Sequence, residues 1–453
     1  ISDDKAFDAA SGAAVAMPDS PESVTVNNRI RGELSGALAA LRLFDADPAV
    51  RKDSAQKLQT GISADMAPLL ARALEKEKDA SIKALLATAH AQATLGSADP
   101  AVRLAAVRAL ADSTSPAIRS QLQALTTVEG EADEKVRYEA VTAVKAIESR
   151  LAFAENLGRV FSGLSLGSIL LLIALGLAIT YGVMGVINMA HGELLMIGAY
   201  ATYVVQNVFR NHLPGLFDYY ILAAIPLSFL ASALVGAAME RSVIRWLYGR
   251  PLETLLATWG ISLILMQAVR NLFGAQNVPV ENPAWLSGGV TVLSNLTLPY
   301  NRIAIIVFAG LVLAGVSLMI ARTRLGLFVR GVTQNRKMAA CMGVNTARID
   351  TYAFALGSGI AGLAGCALSQ VGNVGPDLGQ SYIVDSFMVV VLGGVGQLAG
   401  TVYAALGLGV LNKLLEGWQG AVLAKIMVLV FIVVFIQKRP QGIFAMKGRS
   451  AEA

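Results

Sequence analysis

The 453-residue chain is 55% hydrophobic and 15% charged, which excludes an ordinary soluble globular protein. Its net charge of +5 divides unevenly: Ile1 to Arg150 hold 18 Lys+Arg against 21 Asp+Glu, a net of −3, and the remainder holds 19 against 11, a net of +8. The basic excess falls between apolar stretches rather than on one polar face, so it marks juxtamembrane loops and argues against nucleic acid.

Two cysteines (Cys341 and Cys366) and three histidines (His90, His191 and His212) have neither disulfide nor metal-site spacing. The opening residue is Ile1 rather than Met, which is read as the processed start of a precursor whose secretory signal peptide has been removed; a chain trimmed at its start is the alternative. Residues 1–28 are small and polar, with Pro18 and Pro21, and are expected to form a flexible lead-in.

Residues 29–156 alternate short Ala- and Leu-rich amphipathic stretches with Asp, Pro, Ser and Gly. One element recurs at Asp47-Pro48-Ala49-Val50-Arg51, Asp79-Ala80-Ser81-Ile82-Lys83, Asp99-Pro100-Ala101-Val102-Arg103 and Asp133-Glu134-Lys135-Val136-Arg137. Each Asp is expected to cap a helix, with the Val or Ile turned inward and the base toward water. The spacings of 32, 20 and 34 residues place alternate copies 52 and 54 apart. This self-similarity resembles HEAT-type helical repeats; an unrelated helical bundle with good caps is the alternative. The region holds one His, no Cys and no Gly-rich phosphate loop, so docking or spacing is expected of it rather than catalysis.

From residue 157 to 446 the chain is dominated by apolar runs at about 162–184, 191–209, 219–243, 253–274, 302–322, 350–372, 382–398, 400–418 and 421–437. Each is near the ~20 residues that cross a hydrocarbon core, which predicts an all-α polytopic bundle of eight or nine spans. The runs at 191–209 and 382–398 are short and broken by Gly192, Gly198, Gly393, Gly394 and Gly396, and are expected to be re-entrant or interrupted. Of the 19 bases in this region 13 lie in three places: Arg241 to Arg250, Arg322 to Arg348, and Lys438 to Arg449. The positive-inside rule puts all three in the cytoplasm, with the helical repeats outside and the tail, 447–453, inside. The basic loop from Thr323 to Asp350 has the composition of a docking surface for a soluble partner.

Within the spans, Asn188-Met189-Ala190-His191-Gly192-Glu193 is the main polar cluster, either lining a solute path or capping a helix at the membrane boundary. Asp385 and Ser386 either line the path or lie at the outer interface. Thr258-Trp259-Gly260 offers a hydroxyl and an indole N–H to a small polar solute, or simply packs. Gly357, Ala361 and Gly365, and Gly396 with Gly400, follow small-xxx-small spacing, and with Gly393 and Gly394 are expected to let helices approach closely. No G-x-x-x-x-G-K-[ST] sequence occurs, so ATP hydrolysis, cofactor chemistry and metal chemistry are not expected of this chain.

Gly163-Leu164-Ser165-Leu166-Gly167-Ser168, Tyr181 through Glu193, the basic loop through Gly343-Val344-Asn345, Val391-Leu392-Gly393-Gly394-Val395-Gly396 and Arg439-Pro440-Gln441-Gly442-Ile443-Phe444 together resemble the permeases of ABC importers for branched-chain amino acids, amides and urea. The resemblance implies a multi-pass bacterial inner-membrane subunit. Its partners would be a second permease, two cytoplasmic ATPases that use the ATP, and a periplasmic solute-binding protein. It also implies that Arg330, Gln334, Asn335, Met338, Ala339, Gly343 and Val344 form the segment coupled to the ATPase, although Gln334-Asn335 stands where an acidic residue often occurs. Within the family the urea type resembles this chain in its long exported extension. Trp259 in the Thr-x-Gly position and Asp385 before the Gly-Gly turn point the same way. The expected function is therefore a urea permease, with branched-chain amino acids or short amides as runner-up cargo. A proton-coupled transporter using His191 and Glu193 as a relay is a more distant alternative, and a membrane-anchored scaffold is the least favoured.

Overall fold

The computed structural model describes residues 6–7, 14–15, 39, 41–58, 62–185, 188–293, 295–394 and 396–444. The expected lead-in lies outside them, save for a two-residue antiparallel pairing of Ala6–Phe7 with Ala14–Val15, and so does the expected tail. The chain divides into two compact units, Ile1–Ala152 and Phe153–Ala453.

The first unit is helical: α1 Pro48–Leu58, α2 Ala67–Lys76, α3 Ala80–Thr94, α4 Pro100–Leu110, α5 Pro116–Ala124 and the first part of α6, Glu134–Met184, inside which the unit boundary falls. All four recurring aspartates cap: Asp47, Asp79, Asp99 and Asp133 each accept the amide two residues on, at 2.8–2.9 Å. The bases do not simply face water. Arg51 Nε donates to Glu77 at 2.8 Å and Arg103 Nε to Glu131 at 2.6 Å, and each carboxylate is buried. Nη1 of Arg51, Arg103 and Arg137 donates to the carbonyls six and five residues earlier, so one clamp is built three times. Ile82 and Val136 are buried, but Val102 is 37% exposed. One apolar core runs from Ala39 to Ala93 and a second from Ala91 to Ile147, repeating with the clamps.

The second unit continues with the rest of α6, α7 His191–His212, α8 Tyr220–Ser242, α9 Pro251–Phe273 and a hairpin of β1 Gly289–Leu293 with β2 Leu296–Pro299. It then has α10 Tyr300–Arg322, two short helices α11 Arg324–Gln334 and α12 Arg336–Cys341, α13 Thr346–Ser369, α14 Leu378–Gly393, α15 Leu398–Gln419 and α16 Ala421–Lys438. Each predicted apolar run contains a helix, and among the described residues seven helices are long and apolar enough to cross a membrane. The two others are those with short runs. The 16-residue α14 spans about 24 Å, less than a hydrocarbon core. The 22-residue α7 is unbroken, but its polar residues lower its hydropathy, and 12 of its residues, including the first six, are buried in the protein.

Glycine sets how closely the central helices approach. A Cβ on Gly176 of α6 would lie 2.3 Å from the carbonyl oxygen of Gly357, one on Gly198 of α7 2.2 Å from that of Gly362, and one on Gly365 2.1 Å from that of Leu195. The expected Gly357–Gly365 face is thus used against α6 and α7. Gly396 and Gly400 do not share a helical face, since α15 begins at Leu398 and Gly396 has φ +75°. Gly400 packs instead on Gly393 across the turn, where Gly394 has φ +96°.

Candidate functional site: a buried polar turn halfway along the bundle

Helix α7 starts where a spanning helix ordinarily has its middle. His191 Nε2 lies 3.1 Å from the carbonyl oxygen of Ile173, eleven residues (about 16 Å) before the end of α6. Glu193 meets Ser262, the twelfth of the 23 residues of α9. His191 is also against Gly176, which touches Gly357, the twelfth of the 24 residues of α13. Helices α9 and α13 therefore place the first turn of α7 halfway along their lengths, and α6 places it about 16 Å before its own end. The first turn of α14 meets it there: a Cβ on Gly192 would stand 2.4 Å from the carbonyl oxygen of Gly379.

The turn is held by polar contacts. Asn188 Oδ1 accepts from the Ala190 amide at 3.0 Å, and the Met189 amide donates to Thr258 Oγ1 at 3.2 Å. Ser262 Oγ donates to Glu193 Oε1 at 3.0 Å. Thr254, Thr258 and Ser262 are buried and recur at i, i+4 and i+8, giving α9 a polar stripe against this turn. Because a carbonyl can only accept, His191 Nε2 carries the proton of that contact.

Each buried side chain of the turn keeps one atom without a protein partner: Asn188 Nδ2, His191 Nδ1 and Glu193 Oε2, with the Tyr200 hydroxyl two turns further along α7. A buried polar atom left unpaired costs about 1–3 kcal/mol, so several on one helix start single out this turn as the candidate site. It offers an amide donor, an imidazole and a carboxylate oxygen on one turn. Among the described residues no three His, Cys, Asp or Glu side chains group as a metal site.

The other predicted path residues stand apart. Trp259 is 53% exposed, about 100° around α9 from Thr258. Asp385 lies 3.6 Å from Lys425 of α16, and Ser386 Oγ donates to the Tyr382 carbonyl at 2.7 Å.

The predicted coupling residues occupy α11, α12 and the turn after them. Thr323, Asn335 and Asn345 cap successive helices, and Gly343 has φ +82°. Gln334, Asn335, Met338 and Gly343 are exposed, whereas Ala339 and Val344 pack partly against the core. Arg330 and Gln334 line a cavity of about 590 Å³ with Gly182, Val183 and Gln397. Sequence reasoning missed Ser262, whose signal was the polar stripe of α9. It also missed Arg336, Tyr248, Asp350 and Glu240, which join the short helices to the bundle; acidic residues inside basic stretches were the signal there. Burial pushes the Tyr248 phenol well above its ordinary range.

The family described as branched-chain amino acid transport system / permease component matches residues 159–436. The high-affinity branched-chain amino acid transport system permease protein BraD of Pseudomonas aeruginosa is 30% identical, over 63% of this chain and 95% of its own length. The corresponding LivH of Escherichia coli K12 is 28% identical over 64% and 96%, and the probable LivH of Methanocaldococcus jannaschii 24% over 61% and 88%. No solved structure matches. The latter half of α6, helices α7 to α15, nearly all of α16 and the buried turn fall within the matched residues, and the chain belongs to this family of transport-system permease components.

Proposed function

We propose that this chain is the permease subunit of an ATP-driven importer, forming the solute path in a bacterial inner membrane. It works with a second permease, two cytoplasmic ATPases that hydrolyse the ATP, and a solute-binding protein on the far side. The family match over 159–436 carries this reading. The positive-inside rule supports α11 and α12 on the ATPase side and the first unit, a HEAT-like array with its repeated Arg clamps, on the other.

For the cargo, the named activities of BraD and LivH support branched-chain amino acids, the runner-up expectation, over urea. Urea is kept as a second reading by one observation. Residues 1–158 lie outside the family match, and 63–64% of this chain suffices to cover 95–96% of BraD and LivH, so the first unit distinguishes it from the amino-acid permeases.

Glu193 separates the two. An amino acid brings an ammonium group, which suits the unpartnered Oε2 of Glu193; urea is neutral and is served equally by an amide oxygen. A hydrogen bond to a charged group contributes about 1.5–3 kcal/mol, or roughly ten- to a hundredfold. Uptake of labelled leucine and labelled urea should be measured in cells lacking the chain and complemented with wild type or Glu193→Gln. Wild type is expected to restore leucine uptake, and the variant to lower it ten- to a hundredfold. Restored urea uptake, insensitive to excess leucine and to the variant, would transfer the assignment to urea; restoration of neither would overturn the importer reading.

A further inference from the structure

Arg336 opens α12, and its guanidinium grips the carboxylate of Asp350 with both terminal nitrogens: Nη1 donates to Oδ1 at 3.1 Å and Nη2 to Oδ2. The same guanidinium lies over the ring of Tyr248, 4.5 Å from its centroid. Asp350, in the second turn of α13, is 1% exposed. The next residue, Thr351, donates to Glu240 Oε2 at 2.6 Å, and Glu240 is fully buried in the last turn of α8. Arg245 completes the set, donating to Glu240 at 3.3 and 3.2 Å and to Thr351 at 3.0 Å. Two buried carboxylates, each gripped by an arginine, thus fasten the short surface helices and the turn after α8 to one end of α8 and α13. A planar guanidinium held at two points and stacked on a ring transmits orientation as well as distance, which an ammonium cannot do.

Little slack lies beyond this grip. Of the most apolar stretch of α13, 83% is buried, and its backbone is seated on α6 at Gly357 and on α7 at Gly362 and Gly365. Glycine contacts contain no side chain to absorb a shift, so a displacement of α13 must move its neighbours. The neighbour at Gly365 is Leu195, two residues beyond Glu193.

We propose that the Arg336–Asp350 pair is the positioning link that converts a displacement of α11 and α12 into a displacement of α13, and through the glycine contacts into movement of the polar turn at Asn188–Glu193. The proposal rests on reading 324–345 as the segment that docks on the ATPase.

The test uses the intact importer, purified through a tag on this chain and placed in proteoliposomes. ATP hydrolysis is measured in the same vesicles as uptake of labelled leucine or labelled urea, whichever wild type accumulates. Asp350→Asn keeps the volume and removes the charge; Arg336→Lys keeps the charge and removes the two-point grip. Both variants are expected to retain the ATPase and at least half of its hydrolysis, while solute moved per ATP falls at least fivefold. Gly310→Ala, on α10 outside the docking segment and with nothing within 4 Å of its new methyl, should leave that ratio unchanged. A ratio within twofold of wild type in both variants would overturn the proposal, as would uptake and hydrolysis falling in proportion, the mark of a merely structural pair. If Asp350→Asn does not purify as a monodisperse complex, the ratio in Arg336→Lys decides alone. Wild-type chain that retains no ATPase would overturn the docking reading itself, and that result is distinct from any variant's.

Discussion

Gly192→Ala tests how the first turn of α7 is held. The new methyl would stand 2.4 Å from the carbonyl oxygen of Gly379 and 2.8 Å from its carbonyl carbon. An ordinary contact is about 3.5 Å, so α14 must withdraw by about 1 Å or α7 must tilt. The reverse change is equally blocked, since a Cβ on Gly379 meets the carbonyl carbon and oxygen of Gly192 at 2.5 Å. Overpacking of this kind costs about 1–3 kcal/mol. Helix propensity returns about 0.5–1 kcal/mol when Gly becomes Ala, leaving a net loss of about 0–2.5 kcal/mol and a central expectation near 1.5. At roughly 2–4 °C per kcal/mol for a unit of this size, the central value lowers Tm by about 3–6 °C. The chain supplies its own reporter: Cys366 of α13 is 2% exposed and becomes reactive when the bundle opens, while exposed Cys341 is replaced by serine to flatten the background. A thermal ramp of the purified chain with a thiol-reactive dye then reads opening directly. Gly260→Ala is the control, because its methyl meets nothing within 4 Å, and it should hold or slightly raise Tm. The reasoning is refuted if Gly192→Ala melts within 1 °C of its parent, or if Gly260→Ala falls as far.

In the first unit, hydrogen bonds from Arg51, and then from the Asp79 amide, hold the Glu77 carboxyl down to about 2. A depressed carboxylate contributes stability that is complete above its ordinary value of 4.5 and is lost as pH falls toward 2. Pepsin cleavage within 80–94 of the full chain should therefore be faster in Glu77→Gln than in wild type at pH 4.5, with the difference closing by pH 2; a difference that persists there would contradict the clamp. At Gly343 the strain comes from backbone, with φ +82° and nothing within 4 Å of a new Cβ. Gly343→Val should cost about 1–2 kcal/mol, distort the turn between α12 and α13, and lower uptake at unchanged membrane level, whereas Gly343→Asn is tolerated. Equal uptake by the two variants would remove the left-handed turn from the account.

Much of the fold was legible because apolar length and local caps act within a few residues. The nine apolar runs and the four Asp caps needed no distant partner to be read. The depth of α7 was not legible: the run at 191–209 has the same composition whether its helix starts at a membrane surface or halfway through a bundle. Its depth is set by contacts with Ile173, Ser262 and Gly379, residues 18, 69 and 187 positions away. The direction of Trp259 was not legible either. It is adjacent to Thr258 in sequence, but a helix turns 100° per residue, so a hydroxyl facing the turn sends the indole outward. Asp385 was left open between the path and the outer interface, because its neighbour Lys425 lies 40 residues further on. Arg336 and Asp350 are 14 apart on separate helices, and no periodicity joins them.

The placement of Glu193 becomes intelligible once both helix starts are considered together. A carboxylate halfway along apolar helices would ordinarily require a basic partner, and among the described residues the one side chain that hydrogen-bonds it is Ser262. The first turns of α7 and α14 converge beside it, each bringing roughly half a positive charge from its aligned peptide dipoles. Those dipoles are fixed and do not compete for the unpartnered Oε2, as a lysine or arginine would. One oxygen of Glu193 thus stays without a protein partner, alongside the Asn188 amide donor. A basic residue there would pair with that oxygen; two helix ends meeting through glycine leave it unpartnered.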